Sequence, residues 1–345
     1  MKKNLLALCS LRLVLNHFRT LAARLFAAGM FLASAGSVLA AVRYVDVNST
    51  NATLPYISWA TAATNIQDVV DAAVAGDEIV VTNGIYATGG RAVDGTMTNR
   101  VAVDKPLTLR SVNGPQFTII QGDQVPDFIN GDGAVRCVYL ANGTSLSGFT
   151  LTNGATLGPY GHPTNRESSG GGLWCESTSA AAWNCVLAGN SALDGGGAYG
   201  GTLNNCTLSS NVAHYYGGAA ASSTLNNCTL TGNRASNGGG AAGGILNSCT
   251  LTHNLASFYW IRANNSLYPS STGHGGGAAG CILNNCLLSS NSAVFGGGID
   301  GCTLNNCTVT GNSADVQHGS YYDRECRCMI DVHYGGCGGG RFPAC

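Results

Sequence analysis

The side chains of this chain best placed to meet a ligand are aromatic rather than acidic. Tyr160 lies in residues 156–169, beside His162, Arg166 and Glu167. Tyr215 and Tyr216 follow His214, and Phe258, Tyr259, Trp260, Arg262 and Tyr268 fall within residues 257–272. Phe295 stands alone before a glycine run. Flat, amphipathic rings on loops suit stacking against sugar rings and need few charges. The same rings packed on their own loops would be a purely structural alternative. Carboxylates are sparse: Asp123, Asp127 and Asp132, with Arg136 beyond them, form one loop cluster. Calcium takes six to eight oxygens, so three spaced carboxylates supply only part of a shell. No cofactor or metal is therefore expected.

What positions these residues is a repeat. Asn-Cys or Ser-Cys pairs recur at Cys185, Cys206, Cys228, Cys249, Cys286 and Cys307, at intervals of 21, 22, 21, 37 and 21 residues. Each is followed by aliphatic-x-x-Asn, and between successive copies lies a glycine run before a small or aliphatic residue. A fixed period in this range marks a solenoid. The repeats hold Thr, Ser, Asn, Gly and aliphatics in short alternations, which is strand-and-corner composition and not helical. In Cys206-Thr207-Leu208 the cysteine and leucine face inward together. Leu203 is also inward, so direction resets between it and Cys206, where Asn204-Asn205 tolerates left-handed backbone. Asn211 and its equivalents are expected at a second corner and the glycines at a third. The sum is a triangular coil of three strands, one rung of an all-β parallel helix.

Stacked rungs put like over like at roughly 4.8 Å. The six cysteines then form an internal column, as do Ala192, Ala213, Ala235, Ala256, Ala293 and Ala314, while asparagines bond along a corner. The stacked cysteines are expected to be free buried thiols, since neighbouring rungs hold them too far apart for usual disulfide geometry. The insertions all leave from one corner, between the asparagine and the glycine run, so their aromatics should line one edge.

Before the repeats, residues 1–41 carry Lys2, Lys3, Arg12, Arg19 and Arg24, then an apolar run ending Val38-Leu39-Ala40. That is the pattern of a secretory signal peptide, with no stable membrane span once it is removed. A secreted, periplasmic or cell-surface location follows as an expectation. Residues 42–100 should hold an N-terminal strand, a helix and the first rung. In that helix Thr64 is the expected N-cap, with Gln67 three on, and Gly76 the stop. Its apolar face would plug the open first rung. Residues 101–314 form the β-helix. Residues 315–345 form an irregular Cys-rich tail in which Cys326, Cys328, Cys337, Cys345 and His333 lack the usual zinc spacing. An uncapped solenoid end invites end-to-end self-association. With a net charge of −1 and 10% charged residues, no basic patch points to nucleic acid.

Particular stretches go further. Tyr44-Val45-Asp46-Val47-Asn48, Ser58-Trp59-Ala60, Asn83-Gly84-Ile85-Tyr86, Lys105-Pro106-Leu107-Thr108-Leu109 and Gly148-Phe149-Thr150-Leu151-Thr152-Asn153-Gly154 resemble secreted bacterial right-handed parallel β-helix proteins of the pectin-lyase-like superfamily. Gly217-Gly218-Ala219, paired with Leu208 to Asn211, is similar to repeats of polymorphic outer-membrane proteins, which carry Phe where this chain has Leu or Val. The resemblance implies a right-handed coil; for activity it is undecided between lyases, hydrolases and adhesins. Gly273-His274-Gly275 matches part of a polygalacturonase-type site, but the chain has no Asp-Asp pair and no Arg-x-Lys. In the repeats Asp194 precedes its glycine run and Asp300 follows one, so they do not stack. The reading from sequence is thus a non-catalytic β-helix that binds an extracellular polysaccharide or cell-surface glycan, or mediates adhesion. A polysaccharide lyase or glycoside hydrolase is the alternative.

Overall fold

The computed structural model describes residues 40–93, 95–126, 129–158, 165–259, 269–270, 273–314 and 332–333. They wind as a right-handed parallel β-helix, the hand that parallel crossovers almost always take. The first sheet starts at Val42–Val45, ahead of the repeats, and runs through Glu78–Val81, Thr108–Ser111 and Ser145–Ser147 to Thr303–Asn305. The second runs from Gly84–Tyr86 through Thr118–Gln121 and Thr150–Thr152 to Thr308–Thr310. The third includes Thr98–Val103, Val135–Leu140, Leu173–Cys175 and the Ala-rich pairs Ala220–Ala221, Ala241–Ala242 and Ala278–Ala279.

A fourth sheet corrects the triangular expectation. It begins only at Ser191–Asp194 and continues through Val212–Tyr216, Arg234–Ala235, Leu255–Ala256 and Ser292–Ala293 to Ser313–Ala314. Rungs from there on have four strands. Two-residue strands such as Arg234–Ala235 and Leu255–Ala256 are too short to show any alternation in sequence, which is why three corners seemed enough.

The corners explain the composition. Asn184, Asn205, Asn227, Ser248, Asn285 and Asn306 have φ between 50° and 54°, turning the chain from the first sheet into the second. This is the expected reset. The second corner is shifted by one residue from expectation: the left-handed positions are Gly189, Ser210, Gly232, His253, Ser290 and Gly311. The asparagine that follows each is turned inward instead. Asn190, Asn211, Asn233, Asn254 and Asn291 are buried. Asn211 Oδ1 accepts from both the backbone N–H and Nδ2 of Asn190, each at 3.0 Å, while Asn211 Nδ2 donates to Leu187 O at 2.9 Å. The pattern continues rung by rung to Asn312. A buried corner thus leaves no amide group unmet, as burial of polar groups requires. An outer ladder links Asn204, Asn226, Asn247, Asn284 and Asn305 at 2.7–2.8 Å.

Apolar columns fill the interior. Leu203, Leu225, Leu246, Leu283 and Leu304 stack in register on the first sheet, and Leu187, Leu208, Leu230, Leu251 and Leu288 on the second. Each is worth about 1.5–3 kcal/mol relative to exposure. The six ladder cysteines are buried free thiols, and the backbone N–H of Cys185 meets Cys206 Sγ at 3.4 Å. The alanine column stands as expected, with Ala192 opposite Ala213 and Ala256 opposite Ala293.

The helix is Ile66–Ala72, and both of its ends differ from expectation. Asn65, not Thr64, is the N-cap and accepts from Asp68 N at 2.9 Å. Gln67 reaches away from the cap to bond the backbone N–H of Ala102 at 2.7 Å. The carbonyls at the end of the helix are met by Lys105, whose ammonium donates to Val70 O and Ala73 O. A cation there suits the negative end of the helix dipole. Gly76, at φ +94°, serves the following turn. Ile66, Val69 and Val70 join the core beside Val45 and Ile79, against the terminal strand of the first sheet. Residues 1–39, expected as most of a signal peptide, lie outside the described residues, as does the expected tail apart from Val332–His333. That pair runs antiparallel to Thr308–Thr310.

Candidate functional site

The third sheet and the residues just before its glycine corners build one continuous face. Before the glycines, Ser169, Asp194, Tyr216, Asn237, His274 and Phe295 are bridged in sequence, one per rung. Five residues later, across the corner, Trp174, Tyr199, Ala221, Ala242, Ala279 and Asp300 stack in register. The corner must be glycine. Gly195 has φ +61°, and a Cβ there would lie 2.1 Å from Ala198 O. Two columns are therefore held side by side along the solenoid, with small residues between aromatic and charged ends.

At one end Tyr139 and Trp174 stack with ring centroids 5.2 Å apart, and the Arg166 guanidinium lies 5.1 Å over the Trp174 ring. Such a cation over an indole is attracted by its quadrupole. The Tyr139 hydroxyl donates to Glu176, whose other oxygen accepts from Asn142 N. Arg166 also approaches Glu176 at 4.0 Å. Beneath them Arg136 is 1% exposed. It donates to Gly170 O, Ser169 O, Arg166 O and Asn99 Oδ1. Burial pulls its guanidinium down to about 9, which leaves it charged at neutral pH. Its donors are taken up by three main-chain carbonyls and the Asn99 side chain, so it fixes the loop and is not available as a base. Next along, burial pushes the Asp194 carboxyl above the usual range, against the opposing pull of the Tyr216 backbone N–H.

At the other end His274 stacks on Phe295 at 5.1 Å, and its Nδ1 lies 3.1 Å from Asp300 Oδ2. The contact bridges two rungs. Sequence reasoning set His274 aside as part of a glycine corner and correctly kept Asp194 and Asp300 in different columns. It did not see that a five-residue step across Gly-Gly-Gly brings those columns together. Nor did it single out Tyr139, Trp174 or Tyr199, whose signal was the same fixed offset.

Of the residues expected to meet a ligand, Tyr215 and Tyr216 are 41% and 53% exposed. The His214 ring meets Tyr215 edge-on at 4.5 Å. They owe their position to a register shift between Ala192 and Asp194 and the longer Val212–Tyr216 strand. The 22-residue cysteine interval arises there: one extra residue forms a β-bulge, a device that re-aims side chains. Phe258–Tyr259 pairs antiparallel with Pro269–Ser270, so the second insertion leaves as a two-stranded finger. The two insertions do depart from one corner, since Ser169 and His274, which close them, belong to one column. Tyr160, Trp260, Arg262 and Tyr268 lie outside the described residues, as does Asp127. Asp123 and Asp132 are exposed, and Asp123 makes a backbone bridge with Val135. Among the described residues no three His, Cys, Asp or Glu side chains gather as a metal would need. No helix among them is long and apolar enough to cross a membrane.

No family model matches the chain, and no curated protein does. Among solved structures it is similar to a pectate lyase at 13% identity, covering 73% of this chain and 64% of that one, with a TM-score of 0.46. It is also similar to pectin methylesterase from carrot, at 12% identity, 73% and 64% coverage and a TM-score of 0.38. A rhamnogalacturonan lyase follows at 13%, 75%, 74% and 0.36. The chain thus spans 64% of the length of each of the first two. The parallel β-helix architecture rests on this chain's own strand pairing.

Proposed function

We propose that the protein binds a polysaccharide, without cleaving it, along the face formed by the two columns beside the glycine corners. One observation carries this reading. Asp194, Tyr216, Asn237, His274 and Phe295 recur once per rung in a single line, with Trp174 and Tyr199 across the corner. A linear polymer of sugar rings laid along the axis would meet an aromatic or hydrogen-bonding group at each step. The strand spacing of roughly 4.8 Å sets that step. Tyr215 and Tyr216 offer exposed ring faces, and rings contribute contact area at little entropic cost. Affinity electrophoresis and a glycan array test the idea. Tyr216→Ala combined with Phe295→Ala should abolish retardation that the unaltered chain shows.

A hydrolytic reading has its own observation. The Asp194 carboxyl is raised by burial, the direction in which a general acid is tuned. Release of reducing ends from a bound polysaccharide, lost in Asp194→Asn, would establish that reading over the first.

A further inference from the structure

Three polar side-chain atoms on residues whose backbones adjoin at one corner of this face have no partner. Ser169 Oγ, Trp174 Nε1 and Asp194 Oδ1 are each buried and unbonded. Buried polar groups are nearly always satisfied, so each orphan needs an explanation. The three residues meet at Gly170. Ser169 precedes it, Asp194 O accepts its N–H at 2.9 Å, and Trp174 Cα would lie 3.1 Å from a Cβ built on it. Ser169 and Asp194 are also bridge partners on adjacent rungs. The Arg136 guanidinium pins this point from below by holding the carbonyls of Gly170 and Ser169. The site is thus rigid on one side and part-open at Asp194 on the other.

Resting on the polysaccharide reading, we propose that these three residues form a subsite for the hydroxyl groups of a neutral sugar. The indole N–H donates, a carboxylate oxygen accepts, and the serine hydroxyl does either, which is the mixed pattern a sugar hydroxyl presents. An acidic sugar fits poorly. Around Gly170, Glu167, Glu176 and Asp194 outnumber Arg136 and Arg166. A ligand carboxylate would therefore enter a surplus of negative charge. Stacking on Trp174 is limited by Arg166, which already covers that ring. Hydrogen bonding, not ring contact, is what this point contributes.

The test uses the full chain with xyloglucan and galactomannan as neutral probes and polygalacturonate as the acidic one, in affinity gels and calorimetry. Trp174→Phe replaces the indole with a smaller aromatic ring that has no N–H. It should weaken neutral binding about tenfold, as should Ser169→Ala, while Trp183→Phe, on the exposed side of the first sheet, changes nothing. Unchanged melting of Trp174→Phe shows that the loss is not unfolding. If the unaltered chain binds a neutral probe and both variants bind it equally well, the subsite is wrong and the polysaccharide reading stands. Preference for polygalacturonate also overturns the subsite alone. Binding of none of the three probes overturns both.

Discussion

Asp194 and Tyr216 are Cα partners on adjacent rungs although the strands that carry them differ in length by one residue. The extra residue lies between Ala213 and Tyr216 and turns two tyrosines outward. Deleting Tyr215 should restore the 21-residue interval of the neighbouring rungs. The expected result is an unchanged far-ultraviolet circular dichroism spectrum, a melting temperature within a few degrees, and weaker polysaccharide retardation. Loss of the folded state would show that the bulge is needed for the stack and is not an addition to it.

The inner asparagine ladder should be the most sensitive structural feature. Asn211→Ala removes the acceptor for two donors of Asn190 and the donor to Leu187 O. Each buried group left unmet costs about 1–3 kcal/mol, so a loss of at least about 3 kcal/mol is expected in urea unfolding. Asn305→Ala, at the exposed end of the outer ladder, should cost much less. Equal losses would contradict the burial argument.

Asp77 gives an acid-sensitive anchor at the first sheet. Burial alone would raise its carboxyl, but N–H groups of Ala41 and Val74 and the Arg43 guanidinium, 2.7 Å away, hold it below the ordinary 3.8. A carboxyl lowered on folding contributes stability above its unfolded pKa and loses it as pH falls through the folded one. Asp77→Asn should therefore destabilise at pH 7, by about 3–5 kcal/mol for a broken buried pair, with the gap closing below pH 3.8. Melting curves at pH 7 and at strongly acidic pH check this.

Asp194 has the opposite sign. Its carboxyl is raised on folding, chiefly by burial, so the folded chain keeps a proton that the unfolded chain gives up above the ordinary 3.8. Stability from this group is present at acid pH and falls as pH rises through the folded value. Asp194→Asn should melt higher than the unaltered chain at pH 7, and the difference should shrink at pH 4. A gap that is the same at both pH values would refute the shift.

The thiol column is checked chemically. Ten described cysteines are free and buried, and burial raises Cys137 and Cys175 to about 12. None of the ten should react with a thiol reagent in the native protein at pH 8. At least ten should react after denaturation without reductant. A smaller number would mean disulfides within the stack.

What was readable in advance followed from repetition. The cysteine, leucine and alanine columns, the Asn205-type corner and the common exit of the insertions all come from residues that recur at one interval, because a stacked rung turns interval into height. The fourth sheet was not readable, since most of its strands, such as Arg234–Ala235 and Leu255–Ala256, are two residues long and have no alternation to detect. The inward turn of Asn211 was missed because asparagine suits both a left-handed corner and a buried ladder. Only the presence of Ser210 at the left-handed position decides between them. The meeting of His274 with Asp300, and of Ser169 with Trp174, depends on how tightly three glycines fold back. That is a matter of distance rather than periodicity.

The insertions leave the coil after the inward alanine or threonine and rejoin it before the glycine turn, so they interrupt neither the amide chain nor the leucine stacks. Length at that seam is therefore nearly free of consequence for folding. The same frame can carry a short link, a helical loop or a two-stranded finger and remain the same rod. Equipment on the outside can be exchanged while the architecture that displays it is left alone.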